Sequence, residues 1–193
     1  MKSRTVAAIL FSLAATCAAQ DRPQASQTVV VYISNTAPIP NNLLFRAETT
    51  AAEIMATANV HVEFRMGKPK SDLPFTYTAS LRTSTDEYLK PGALAYAQPY
   101  GTRIVVFYDR IRAIPRAETH VILGHVLAHE ITHMLRGDTE HATTGLMKAT
   151  WTSDDYFAML CGHLALSADD IDEIHTGMAL IQAKSLLAAA ERR

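Results

Sequence analysis

The sequence predicts an α+β fold in a single domain, with a twisted mixed sheet packed on one long helix and a C-terminal helix closing it. Three observations carry this. Runs of strand length recur as far as Tyr108; a helical stretch from about Arg116 to Arg136 ends at Gly137; and a last helix begins at Ser167. With 193 residues, 48% hydrophobic and 19% charged, the chain can bury one proper core, and it shows no internal repeat or domain linker.

In chain order, residues 1–19 read as an export signal outside the fold. Lys2 and Arg4 are a basic start, Val6 to Ala15 a short apolar run, and Cys17-Ala18-Ala19 a small-residue end. The run is too short to span a bilayer, which takes roughly 20 residues, so no transmembrane segment is expected. Residues 20–193 form the folded domain, secreted or periplasmic. Cys17 follows Ala14-Ala15-Thr16, a poor form of a lipoprotein cleavage box, so ordinary cleavage is preferred to lipidation. Cleavage after Ala19 leaves Cys161 as the one thiol, read as a small buried hydrophobe without a disulfide partner.

Gln20 to Gln27 is a polar lead. Thr28 to Ser34 is a β-branched strand, Asn35 to Asn42 a proline-bearing loop, and Leu43 to Asn59 a helix with Leu44, Ala47, Ala51, Ile54, Met55 and Ala58 on its apolar face. Val60 to Met66 alternates as a half-buried strand does, with His61 on the solvated side. Phe75 to Leu81 is another strand. Gly92 to Pro99 and Thr102 to Tyr108 bracket a turn at Pro99-Tyr100-Gly101. The long helix follows, with His120 read as solvated near its start. Residues 138–166 read as irregular, and the last helix carries Asp169 and Asp170 in its first turn.

Charge excludes one class of partner. With 18 Lys and Arg against 19 Asp and Glu, there is no basic excess to draw the chain to phosphate backbones, so nucleic acid is not expected. Oligomeric state is not encoded in any feature of the sequence.

The chemistry lies in the long helix, at His129-Glu130-Ile131-Thr132-His133. Four helical residues return to within roughly 40° of their start and rise about 6 Å, so both imidazoles can grip one ion from adjacent turns. Glu130, one residue on, sits beside such an ion, where a carboxylate acts on bound water instead of ligating. His125 is on the same face, but His125, His129 and His133 form a straight row, which cannot give three corners of a tetrahedron. His125 is therefore read as structural. A third ligand must come from chain that turns back, and Gly137 supplies the break. His141 is the choice; Asp138 and Glu140 are the nearest alternatives, with Asp169, Asp170 and Glu173 if the last helix supplies it. Imidazole ligands point to Zn2+, while also suiting iron, nickel and copper.

These residues resemble a metzincin-type zinc metalloprotease, in its small, exported, matrixin-like bacterial form. That clan has a long helix bearing HExxH, a glycine turn, a third histidine and a Met-turn. The matching positions are His129, Glu130, His133, Gly137, His141 and Met147, with Gly145-Leu146-Met147 similar to the Met-turn and Leu166 to Ile174 similar to the start of the C-terminal helix of matrixin-like members. The likeness covers residues 94–176 and implies a metzincin-like fold. Two departures stand out: two residues are added before the third histidine, and Ala149 stands where related families place a tyrosine.

The resemblance implies hydrolysis of a peptide or protein substrate, with zinc on His129, His133 and His141, Glu130 as general base, and the strand Ala93 to Gln98 pairing with the substrate backbone. Trp151 and Tyr156 are assigned to core packing in preference to a specificity pocket. The alternative is a non-catalytic, zinc-stabilised exported binding module, which a fourth protein ligand would favour. A hydrolase acting on something other than peptides is a third reading.

Overall fold

A computed structural model of the chain describes residues 27–35, 39–70, 73–85, 90–98, 101–115 and 117–191. The export signal, most of the polar lead and the Pro99-Tyr100 turn lie outside the described residues.

Strand β1 (Gln27–Asn35) sits inside the sheet because every second residue, Val29, Val31 and Ile33, is completely buried. Helix α1 (Asn41–Ala56) carries the chain back, so that β2 (Val60–Met66) runs parallel to β1 in the register Gln27 to Val60. On its other side β1 pairs in parallel with β3 (Thr76–Arg82), and β3 pairs in parallel with β5 (Arg103–Phe107). The short β4 (Ala95–Ala97) is antiparallel to β5 and ends the sheet, whose order is β2-β1-β3-β5-β4. This is the mixed sheet expected. Its outer edge is β4.

Helix α3 (Thr119–Arg136) is buried at 15 of its 18 residues, as a helix must be when it is packed on several sides. It touches α1, β4, β5 and the last helix, α5 (Ala168–Ala190). Contact with α5 is closest at Gly177, where a Cβ would lie 2.1 Å from the Leu135 carbonyl oxygen; only glycine fits. Helix α5 starts as expected, with Ser167 and Asp170 exchanging hydrogen bonds in a capping box. None of the described helices is long and apolar enough to cross a membrane.

Two short helices were not expected. Helix α2 (Tyr108–Arg112) follows β5 directly, and α4 (Ser153–Cys161) stands in the stretch read as irregular, capped by Thr152 and Asp155. Two single residues also differ. His120 is buried at 8% exposure, shielded where α3 begins, whereas Cys161 is exposed because α4 ends there.

Candidate metal centre

Helical spacing brings His129 and His133 to one point, with their Nε2 atoms 3.1 Å apart. His129 is oriented from behind. Its Nδ1 lies 2.9 Å from the Leu146 carbonyl, which can only accept, so Nδ1 carries the proton and Nε2 keeps its lone pair.

Helix α3 ends at Gly137, whose φ of 76° is the left-handed cap that turns the chain back. The returning segment is pinned by Ala142 N–H donating to the Met147 carbonyl and Leu146 N–H donating to the Ala165 carbonyl. This holds His141 against the helix, its ring stacked on His129 at 5.4 Å and edge-on to His133 at 4.8 Å. One nitrogen from each of His129, His133 and His141 lies within 4.8 Å of the other two. Leu146 and Met147 beneath them are fully buried.

The arrangement fits a metal ion. At 3.1 Å the two nitrogens are close enough to share either a proton or a cation, and neighbouring nitrogens in a tetrahedral zinc site are about 3.3 Å apart. Burial, followed for His133 by the charges of the neighbouring histidines, lowers His129 to about 4 and His133 to about 3, so both are neutral ligands at neutral pH. His141 is lowered too, first by burial and then by Arg136.

The other candidates go elsewhere. Both nitrogens of His125 are satisfied, Nδ1 donating to the Val121 carbonyl at 2.8 Å and Nε2 accepting from Leu164 N–H at 3.1 Å, which is the structural role expected. Asp138, Asp170 and Glu173 converge on Arg136 at 3.2, 3.1 and 2.7 Å. Neither they nor Asp169 and Glu140 join the three-histidine group.

Glu130 is 5% exposed and has one carboxylate oxygen, Oε2, without a hydrogen-bond partner. Burial raises its pKa to about 8, opposed by a hydrogen bond from the Ala97 main chain and by the Lys90 charge. It lines a cleft of about 260 Å³ that also contains the three histidines. β4 forms one wall and Lys148 to Trp151 the other. Trp151 and Tyr156 pack against the core, as expected, and also line this space. Trp151 donates through Nε1 to the Leu146 carbonyl at 3.2 Å and sets its ring edge-on to His129.

Solved structures similar to this chain include two archaemetzincins and a zinc-dependent peptidase. An archaemetzincin from Methanopyrus kandleri matches at TM-score 0.53 and 12% identity, over 82% of this chain and 99% of that one. A zinc-dependent peptidase from Methanocorpusculum labreanum matches at 0.54 and 10%, over 75% and 99%. An archaemetzincin from Archaeoglobus fulgidus, complexed with malonate, matches at 0.50 and 11%, over 76% and 99%. The chain has the archaemetzincin fold. In sequence, no family model and no curated protein matches it.

Within this archaemetzincin fold, sequence reasoning missed Lys90 and the Leu146 carbonyl. Lys90 is remote from the motif in sequence, and a main-chain carbonyl leaves no side-chain signature. An acid titration tests the buried histidines. His125, lowered by burial to about 4, His129 and His133 are neutral when folded but take up protons near 6.5 when unfolded. Stability of the metal-free protein is therefore expected to fall as pH drops below about 6.5, and to level off only near pH 3 to 4, in urea melts at stepped pH. A flat profile between pH 7 and 4 contradicts these burials.

Proposed function

We propose that this chain is a zinc-dependent metallopeptidase of metzincin type, exported from the cell. The observation that carries the reading is the convergence of His129, His133 and His141 in the cleft that also contains the Glu130 carboxyl group. Zinc held by His129, His133 and His141 would supply a Lewis acid there and make water a stronger acid. In its ionised form Glu130 takes the proton from the attacking water and passes it to the leaving amine; its bond to the Ala97 main chain sets its position and favours that form. An extended peptide lies along the free edge of β4 and pairs through backbone groups. Trp151 and Tyr156 face the substrate side chains.

The Gly145-Leu146-Met147 turn plays the part of a Met-turn, and its carbonyl at Leu146 orients His129. Similarity of Leu166 to Ile174 to matrixin-like members supports kinship with that branch. Export rests on residues 1–19. The binding-module alternative calls for a fourth protein ligand, and the group that gathers among the described residues is His129, His133 and His141.

The test is elemental analysis of protein purified without chelator, joined to cleavage of a peptide library. About one zinc per chain and cleavage abolished by chelator and restored by zinc are expected. One zinc without cleavage of any peptide favours the binding module, and no bound metal removes both readings.

A further inference from the structure

We infer that Asp138 is the positioning residue for His133, and that Arg136 holds it in place by tying the ligand turn to α5. This rests on the metal-centre reading above. His133 presents Nε2 to His129, so its ligating tautomer carries a proton on Nδ1. That Nδ1 is buried, and the acceptors beside it are both on Asp138, its main chain and its carboxylate. A ligating imidazole ordinarily donates this proton to a carboxylate or carbonyl, which fixes the ring and strengthens the ligand. The Asp138 carboxylate is the group in position, with Oδ1 3.8 Å away.

Asp138 is itself fixed on both oxygens. Oδ2 accepts from Arg136 Nε at 3.2 Å, and Oδ1 accepts from Glu140 N–H at 3.1 Å. Arg136 has only 5% of its side chain exposed and is held on its far side by Asp170 at 3.1 Å and Glu173 at 2.7 Å, both in α5. At 3.8 Å the contact of Oδ1 with Nδ1 is an ion-pair distance, longer than a hydrogen bond. The Asp138 main chain also favours a protonated His133 and is the competing acceptor.

The test is zinc affinity, measured with the full chain by competition against a chromophoric chelator, for Asp138→Ala, Asp138→Asn and Asp138→Glu. Asp138→Ala is expected to bind zinc about 10- to 100-fold more weakly, with Asp138→Asn intermediate and Asp138→Glu recovering part of the loss. The thermal midpoint of the metal-free protein should fall only slightly, because Arg136 keeps Asp170 and Glu173 when it loses the one-third-exposed Asp138 carboxylate. Wild-type affinity in Asp138→Ala assigns the proton to the main-chain carbonyl and overturns the inference. So does a fall in affinity matched by an equal fall in metal-free stability. Absence of zinc binding by the wild-type chain defeats the metal-centre reading itself, a result distinct from either.

Discussion

Glu130→Gln is expected to keep one zinc per chain and to lower kcat/KM by about 10²- to 10⁴-fold, the usual worth of a general base. Gln matches Glu in size and still offers an acceptor to the Ala97 main chain, so the cleft keeps its shape. Folding should not suffer either. Burial already favours the uncharged acid, with a pKa raised to about 8, and the amide is uncharged at every pH. What the variant loses is the ability to take up a proton. The measurement pairs elemental analysis with initial rates on the best library peptide; wild-type rates at full zinc occupancy would sink the proposed mechanism while leaving the metal centre intact.

Arg136→Met is expected to destabilise the chain by about 3 to 5 kcal/mol, the cost of stranding a buried ion-pair partner. Arg136 and Asp170 are 5% and 4% exposed, and Asp170 also accepts from the Ser167 N-cap main chain in the α5 capping box, so it cannot swing out to water without breaking that box. Glu173 is half exposed and adds little. The loss should read as a drop of roughly 10 °C in Tm for the metal-free protein. A double variant, Arg136→Met with Asp170→Asn, should recover part of it because the stranded charge is gone. Equal Tm for the single variant and the wild type would show that the buried pair contributes nothing net.

Sequence patterns located most elements because their burial follows their period. β2 spans Val60–Met66 as expected, and β1 and α1 differ from expectation by no more than a few residues at either end. Helix α4 escaped because its apolar residues do not form a buried stripe. Phe157 and Leu160 point to solvent and only Met159 is buried, so its apolar residues mark no core-facing stripe. Its capping box was nevertheless readable, since Thr152 and Asp155 have the same spacing as Ser167 and Asp170. Helix α2 was hidden by its junction with β5, whose apolar run continues through Tyr108 without a break.

At the site, helical spacing placed His129 and His133 on one face, because four residues on a helix leave no other arrangement. His141 could only be chosen among rivals. Its position depends on how the segment after Gly137 is pinned, Ala142 to Met147 and Leu146 to Ala165, contacts between main-chain groups that no residue type announces. His120 and Cys161 failed for a related reason: burial at the ends of helices is decided by neighbouring elements, not by the local pattern.

The three histidines lie between positions 129 and 141, whereas the sheet joins Val30 to Thr76 and Thr78 to Arg103. Bringing the ligands together closes a very short loop and so removes little entropy from the unfolded chain, whereas the parallel pairings must close much longer ones. An ion bound there clips one turn to one helix and leaves the β1 and β3 pairings untouched. The sheet and its core must therefore assemble without its help, and loss of the ion should loosen the segment after Gly137 first, visible as faster amide exchange there while the strands keep their protection.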